Sequence, residues 1–317
     1  MTTAPPDPGH EACRVCGGTE LDLAARRIRG GIDCPVWQCR NCGLAFLPAP
    51  YFDPETVRQQ YADGYAFTPS LSAIKGTEYD PYVKVLDFLA PHLDAAKTEF
   101  LEIGAGQGHF LGLVKDRVRR VTAIEFNAGQ AEYCRKTFGA EVLSCPVEDL
   151  PPDRTFDVVF HFSVLEHVPD PYAFLTAAMA RVRPGGVMCV EVPNNRDPVL
   201  DLYRVPAYVD TYYRKTHLMN YGERSLALLF DRLGYRRYRI ERIQAYSLSN
   251  HFHWADTGTG QPSVDIGYRF AFPADLSGPE PVKGELSAFF GRMDAEYRAI
   301  LIRHGYSDVL AALVHKD

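Results

Sequence analysis

The sequence lacks several features that define other classes of protein. No stretch approaches the roughly 18 consecutive apolar residues that a membrane-spanning helix needs, which predicts no membrane partner. The N-terminal residues show no basic region followed by an apolar run, so we expect no signal peptide. Together these absences predict a cytoplasmic protein.

An excess of positive charge is also missing. The 317 residues include 34 Lys and Arg against 40 Asp and Glu, which gives a formal net charge of −6. Because clustered Lys and Arg drive binding to nucleic-acid phosphates, this balance argues against a nucleic acid as the main partner. The length suits one large domain and a small one.

Cysteine, in contrast, is plentiful. Eight cysteines in a cytoplasmic chain are better explained by metal binding and burial than by disulfides. Four of them form two Cys-x-x-Cys pairs, Cys13 with Cys16 and Cys39 with Cys42, separated by 22 residues. This spacing is typical of a zinc ribbon-like module with four thiolate ligands, whose closed site makes the zinc structural. The other interpretation is a set of surface cysteines without metal.

The chain divides into three predicted parts. Residues 1–50 hold the zinc module, residues 51–97 form an aromatic, partly helical connector, and residues 98–317 form the main domain. The strands predicted in the main domain are 100–103, 121–124, 141–143, 156–160, 187–190, 235–243 and 308–314. The predicted helices are 108–117, 128–138, 171–182, 223–233 and 284–304. This alternation predicts a doubly wound α/β fold with a mostly parallel sheet covered on both faces.

The first predicted strand runs into a glycine-rich turn, Leu101-Glu-Ile-Gly-Ala-Gly-Gln-Gly108. Glycine has no Cβ, so the backbone can pass close beside a bulky ligand. Glu125 ends the second strand, where a carboxylate can accept hydrogen bonds from ribose hydroxyls. The third glycine comes one residue too early for the dinucleotide pattern Gly-x-Gly-x-x-Gly, and His109 stands at that position instead.

Five motifs in this order resemble those of class I S-adenosylmethionine-dependent methyltransferases. They are Glu102–Gly108, Glu125, Pro146–Pro151, Phe156–Pro169, and Pro184–Gly186 followed by Val192–Asn194. The resemblance implies a Rossmann-like seven-stranded sheet with its last strand antiparallel, and S-adenosylmethionine as cofactor. It implies as cofactor-binding residues Glu102, Gly104, Gly106, Gln107, Gly108, Glu125, Phe126, Val147, Glu148, His161 and Phe162. The alternative is a generic domain of this fold without that cofactor.

A zinc module ahead of such a domain resembles the C-methyltransferases of nucleotide-linked deoxysugars and related enzymes of bacterial natural-product and polysaccharide pathways. This resemblance implies methyl transfer to a carbon or hydroxyl of a small molecule. A second hypothesis is an RNA or protein methyltransferase that docks through the zinc module. A third is a non-catalytic protein of the same fold.

A hydroxyl or carbon acceptor needs a general base as well as alignment with the methyl group. Histidine is favoured because its pKa lies near neutrality. Three histidines follow strands at the carboxyl edge of the predicted sheet, His161 and His167 after the fourth strand and His217 after the fifth. Similar enzymes place a functional histidine with nearby tyrosines in the later segment, which favours His217 with Tyr221 beside it.

Residues 246–283 are predicted to be an irregular insertion. Since the sixth strand of this fold is parallel and the last antiparallel, their connection emerges at the carboxyl edge. Ser249–Trp254 is therefore predicted to face the acceptor pocket, unless it is an ordinary solvent-facing loop. In the connector, Tyr61 and Tyr65 are candidates to cover the cofactor.

Overall fold

The structure is a computed structural model that describes residues 9, 11–55, 57, 80–262, 264–270 and 279–317. Its strands are β1 (Leu21–Ile28), β2 (Ile32–Cys39), β3 (Ala45–Phe46), β4 (Glu99–Ile103), β5 (Arg120–Ile124), β6 (Glu141–Leu143), β7 (Phe156–Phe162), β8 (Val182–Pro193), β9 (Met219–Asn220), β10 (Tyr238–Ile243) and β11 (Val309–His315). Its helices are α1 (Pro81–Leu89), α2 (His109–Val114), α3 (Ala128–Phe138), α4 (Pro171–Ala180), α5 (Pro206–Tyr212), α6 (Glu223–Arg232), α7 (Leu248–Thr257), α8 (Val264–Tyr268) and α9 (Glu280–Arg303). Tyr61 and Tyr65 lie outside the described residues.

The central sheet has seven strands in the order β10-β11-β8-β7-β4-β5-β6. β4, β5, β6, β7 and β8 pair in parallel. β11 is antiparallel to both of its neighbours, β8 and β10, so β10 runs in the same direction as β8. The predicted Rossmann-like sheet with an antiparallel last strand is thereby confirmed.

Apolar side chains cover both faces of this sheet, as expected for parallel strands flanked by helices. On one face Phe100 and Phe160 pack against Phe110 of α2, and all three are fully buried. On the other face Leu101 belongs to the core that includes Leu175 of α4. Successive side chains of a strand point alternately into these two cores. This alternation determines which side chains can reach the carboxyl edge of the sheet.

Local sequence signals set the helix ends. Asn127 accepts a hydrogen bond from Gln130 N at the start of α3, and Gly139 ends this helix. Asp170 caps α4 in the same way, with Pro171 at its first position. Strand β8 is longer than predicted, because the expected turn at Pro184–Gly186 lies within it, where the pairing with β7 shifts register.

The N-terminal sheet has the order β1-β2-β3-β9, so its last strand comes from the main domain. Ala45 pairs with Asn220 and Phe46 with Met219, in antiparallel register. The Val15 carbonyl accepts hydrogen bonds from the Tyr172 hydroxyl and Arg232 Nη1, at 2.6 and 2.7 Å. The predicted zinc module is therefore packed onto the main domain. The boundary at residue 50 stays a prediction.

The segment 246–283 was expected to be irregular, but its described part contains α7 and α8. Ser247 accepts from Asn250 N at the start of α7, and Gly258 ends the helix in a left-handed conformation. None of the helices in the described ranges has the length and apolar character that crossing a membrane requires.

Candidate functional site

The glycine-rich turn lies between β4 and α2, at the carboxyl edge of the sheet. Gly106 has a φ of +53°, and a Cβ built on it would meet no heavy atom within 4 Å. The backbone there borders open space, which is what a closely approaching ligand needs. Of the other predicted residues in this turn, Gly104 is exposed, Gln107 is half-buried and Gly108 is buried.

Glu125 holds this turn in place. Its Oε2 accepts a hydrogen bond from Gly106 N at 2.7 Å, and its Oε1 accepts one from Asn127 N at 2.8 Å. Burial raises the pKa of Glu125, while these backbone hydrogen bonds act in the opposite direction. Burial and the nearby Glu125 raise the pKa of the Glu102 carboxyl well above its ordinary range. Two buried carboxyl groups thus lie directly behind the glycine turn.

Other predicted cofactor residues follow the neighbouring strands. Phe126 comes after β5 and is 37% exposed, which is unusual for so large an apolar side chain. After β6, Val147 is buried and Glu148 is exposed. Phe162 ends β7 and stacks on Tyr82, with ring centroids 4.1 Å apart. These side chains provide apolar and acidic groups along one edge.

His161 is placed differently from the prediction. Its ring is fully buried and packs edge-on against Phe174 of α4, on the opposite face of the sheet from Phe162. Burial lowers the pKa of His161 to about 3. Because side chains alternate along a strand, adjacent residues of β7 cannot both face the same edge pocket. The position of His161 therefore supports a core role.

The four predicted metal ligands come together at the N-terminal sheet. The Sγ atoms of Cys13, Cys16, Cys39 and Cys42 all lie within 4.8 Å of one another. The Cys13–Cys42 and Cys16–Cys39 Sγ pairs are each 3.4 Å apart, and all four cysteines are free. A tetrahedral zinc with Zn–S distances of about 2.3 Å has sulfur–sulfur edges of about 3.8 Å. The cluster fits such an ion.

A cavity of about 430 Å³ opens beyond the ends of β7 and β8. Phe162, Ser163 and Glu191 line it from these strand ends. Six further aromatic residues line it beside polar and charged side chains: Tyr82, Tyr208, Tyr212, Tyr246, Trp254 and Tyr268. Its volume and its mixed aromatic and polar lining suit a small molecule.

The segment Ser249–Trp254 reaches this cavity only in part. Asn250 and Trp254 line it, which agrees with the predicted orientation of the connection. His251 instead faces Tyr297, with Nδ1 2.5 Å from the hydroxyl, and Phe252 is 57% exposed. The helical period of α7 explains why these positions face in different directions.

Of the predicted base candidates, His167 and His217 lie at the cavity. The rings of His167 and His217 meet edge to face with centroids 4.8 Å apart, and His217 lines the cavity. His167 Nδ1 is 2.5 Å from the Thr216 carbonyl oxygen, to which it donates as the protonated nitrogen. Burial, His167, Arg214 and Arg29 lower the pKa of His217 well below its ordinary range, so its imidazole is neutral at neutral pH.

Glu166 completes a cluster with these two histidines. Its side chain is 1% exposed, and its Oε1 lies 3.7 Å from His167 Nε2. One ligand atom from each of Glu166, His167 and His217 lies within 4.8 Å of the others. Imidazole and carboxylate groups so arranged can hold a divalent cation or pass a proton.

Tyr221 lies away from the cavity. It is fully buried, and its hydroxyl is 3.5 Å from Met219 Sδ. Burial raises its pKa well above the ordinary range. This position does not support a part in proton transfer, and it gives Tyr221 a packing role beneath the N-terminal sheet.

Glu191 is a cavity residue that the sequence reasoning missed. Its Oε2 accepts hydrogen bonds from Ser163 N and Oγ, at 2.8 and 3.1 Å. Burial raises the pKa of Glu191 to about 8. A signal was available, because this glutamate interrupts an apolar run near the carboxyl end of the fifth predicted strand.

Comparison with known proteins identifies the family. A family profile described as "Methyltransferase domain" matches residues 76–239, which is 164 of the 317 residues and just over half of the chain. The chain belongs to this methyltransferase family. The match includes the glycine turn, Glu125, His167 and His217.

Curated relatives match over shorter segments. A "Probable S-adenosylmethionine-dependent methyltransferase" of Mycolicibacterium smegmatis is 33% identical over 101 residues, 31% of this chain and 39% of its own length. A "tRNA U34 carboxymethyltransferase" of Alteromonas mediterranea is 31% identical over 119 residues, 33% of this chain and 36% of its own length. The chain thus spans about two fifths of the length of the curated relatives it matches.

Solved structures of methyltransferases resemble the chain at low identity. The Burkholderia thailandensis 1,6-didemethyltoxoflavin-N1-methyltransferase, with bound 1,6-didemethyltoxoflavin and S-adenosylhomocysteine, is 16% identical with a TM-score of 0.48. The match covers 87% of this chain and 97% of that chain.

Proposed function

We propose that this protein transfers a methyl group from S-adenosylmethionine to a small-molecule acceptor held in the cavity. The observation that carries the proposal is the open space beside Gly106. The amide of Gly106 donates a hydrogen bond to Glu125 Oε2 at 2.7 Å, which holds the turn in place. Ligands of parallel sheets bind beyond the carboxyl ends of the strands. The cavity beyond β7 and β8 opens at this same edge.

The side chains at this edge suit the chemical groups of that cofactor. The Glu125 carboxylate would accept hydrogen bonds from the ribose hydroxyls, and the exposed Phe126 ring and Val147 would flank the adenine. The backbone of Gly104 and Gly106 would hold the methionine part. When bound, S-adenosylmethionine supplies a methyl group on a good leaving group, so alignment contributes most of the rate.

On the acceptor side, His217 is the general base in this proposal. Its imidazole is neutral and has a lone pair that can accept a proton from an acceptor hydroxyl or activated carbon, while its lowered pKa makes it a weaker base than a free histidine. His167 is a positioning residue, since its Nδ1 is fixed on the Thr216 carbonyl and its ring packs edge to face on His217.

The four-cysteine cluster holds a structural zinc ion in this proposal. Four thiolates complete a tetrahedral shell and leave no position for a substrate. The layout of such a module ahead of the methyltransferase domain favours an enzyme of a small-molecule biosynthetic pathway, of the natural-product type. An RNA acceptor is the second candidate, because one relative is named as a tRNA enzyme. A salt-dependent shift of tRNA in a gel would favour that candidate.

Substitution of Glu125 by glutamine is expected to weaken cofactor binding. A hydrogen bond to a charged acceptor contributes about 1.5–3 kcal/mol, so we expect an affinity loss of roughly tenfold to a hundredfold. Calorimetric titration with S-adenosylhomocysteine measures the change. Glu132→Gln on the exposed surface of α3 is the matched control and should bind as the wild type does. Absence of S-adenosylhomocysteine binding by the wild type would refute the proposed function.

Substitution of His217 by glutamine is expected to affect turnover and to spare the cofactor. Loss of a general base lowers the rate constant by about a hundredfold or more, while S-adenosylhomocysteine affinity stays unchanged. The assay first identifies an acceptor that the wild type methylates, from a panel of phenols and carbon acids with radiolabelled S-adenosylmethionine. The variant is then compared with the wild type on that acceptor. His304→Gln, at an exposed site after α9, is the control. A variant that keeps the full rate constant would exclude His217 as the base.

A further inference from the structure

Two arginines border the cavity close to His217. Arg29 lies in the turn between β1 and β2 of the N-terminal sheet, and Arg214 follows α5. Both contribute to lowering the pKa of His217, which places their charges within electrostatic reach of its ring. The N-terminal sheet and the main domain therefore supply one positive charge each to the same part of the cavity.

Backbone groups hold Arg29 in this position. Its amide donates to the Tyr213 carbonyl at 2.8 Å, and its Nε donates to the Thr211 carbonyl at 2.9 Å. Two residues earlier on the same chain segment, Arg27 pairs with Asp210 at 3.8 Å. The end of β1 is thus fixed to α5, and the Arg29 guanidinium is anchored along its Nε edge.

Two acidic residues of the described cavity lining accept hydrogen bonds from other groups of the protein. Asp197 accepts from the amides of Val199 and Leu200 and from the Tyr208 hydroxyl. Asp308 accepts from the amides of Ala245 and Tyr246 and from the Gln244 side chain.

Glu191 is likewise bonded to Ser163, and burial raises the pKa of Glu191, Asp197 and Asp308 to about 8, 6 and 8. Burial thus favours the neutral forms of Glu191 and Asp308 near neutral pH.

We propose that the acceptor is a ring-containing molecule with a carboxylate or phosphate group, which Arg29 and Arg214 bind. This inference rests on the proposed function for the identity of the cavity as the acceptor site. The planar guanidinium fork matches paired oxygen atoms of either anion. With the anion at the arginines, the ring lies among the tyrosines and faces the strand ends at Ser163 and Glu191. The N-terminal sheet is then part of the acceptor site.

Matched pairs of probes test the anion directly. We would titrate 4-hydroxybenzoate against 4-hydroxybenzamide, and phenyl phosphate against phenol, into the full-length protein with and without S-adenosylhomocysteine. The anionic member of at least one pair should bind on the order of tenfold more tightly, because hydrogen bonds to charged groups are the stronger ones. The pair that shows the preference distinguishes a carboxylate from a phosphate.

Arginine variants test whether Arg29 and Arg214 cause the preference for the anionic probe. Arg29→Gln and Arg214→Gln should each reduce this preference, and the double variant should abolish it. Arg27→Gln is the matched control in the adjoining strand β1, since Arg27 pairs with Asp210 and does not line the cavity. Arg214 is exposed, so its variant preserves the test if Arg29→Gln folds poorly.

Three results would overturn the proposal. They are equal binding of the two members in both pairs, no binding of either anion at millimolar concentration, and a preference for the anion that survives in the double variant. Titration of S-adenosylhomocysteine into the same samples reports separately on the proposed methyl transfer. Loss of cofactor binding with a retained anion preference refutes the transfer alone.

Discussion

Replacing Cys42 with serine is expected to remove the proposed zinc and to lower the free energy of unfolding by several kcal/mol. Structural zinc contributes about 10 kcal/mol or more to the folding of small metal modules, because the site exists only in the folded state. Cys42 is 1% exposed, and its Sγ lies 3.4 Å from Cys13 Sγ. A serine at this position cannot supply the thiolate, so the ion loses one of four ligands.

The loss should spread beyond the N-terminal sheet. Cys13, Cys39 and Cys42 belong to the same buried core as Leu226 and Phe230 of α6. Arg232 also donates to the Val15 and Cys16 carbonyls, at 2.7 and 3.0 Å. We therefore expect one cooperative thermal transition at a lower temperature, rather than loss of the module alone.

Metal analysis and thermal unfolding together check this result. The wild type should contain one zinc per chain, and the Cys42→Ser variant almost none. Cys145→Ser is the control, because Cys145 is half-buried and lies outside the four-cysteine cluster. An absence of zinc from freshly purified wild type, or an unchanged unfolding temperature in Cys42→Ser, would contradict the structural role.

Gly108→Ala is expected to lower the free energy of unfolding by about 2–5 kcal/mol. Gly108 has a φ of +73°, and an alanine there costs about 1–2 kcal/mol in the left-handed region. Its Cβ would also lie 2.3 Å from Phe138 Cε2 and 3.0 Å from Cys134 Sγ, and such overpacking costs about 1–3 kcal/mol. The Phe138 ring has little freedom to move, because it also packs against Gly112 and Tyr133.

Gly106→Ala is the informative partner of this variant. Gly106 also has a positive φ, but its Cβ would project into open space, so the stability loss should be about 1–2 kcal/mol. The same methyl group would occupy the space proposed for the cofactor and should weaken S-adenosylhomocysteine binding. Urea unfolding and calorimetric titration separate the two effects. If Gly106→Ala lost as much stability as Gly108→Ala and kept its affinity for S-adenosylhomocysteine, the cofactor would have to bind elsewhere.

The central sheet was predictable because its strands carry continuous apolar runs between clear turn and capping signals. The positions of Gly106 and Glu125 at the edge of the sheet were predictable for the same reason, since each lies close after the end of a parallel strand. His161 shows the limit of that reasoning. Whether a residue near a strand end faces the edge pocket or the core depends on strand phase, and a shift of one residue reverses it.

The cavity required the three-dimensional structure. Arg29 reaches it through hydrogen bonds to Thr211 and Tyr213, far along the chain, and no local pattern marks that contact. The pairing of β3 with β9 was equally unpredictable, because a strand of two residues has no periodicity to detect. The helix α7 did carry local signals, in Ser247 and Gly258 at its two ends.

The pairing of β3 with β9 also sets an order of events during synthesis. Ala45 and Phe46 leave the ribosome about 170 residues before Met219 and Asn220, their partners in the sheet. The first-made part of the chain therefore waits with an unfilled sheet edge while the seven-stranded domain is still being translated. Closing so long a loop is a slow, late step of folding. A zinc ion bound early by the four cysteines would keep this edge preformed until its last strand arrives.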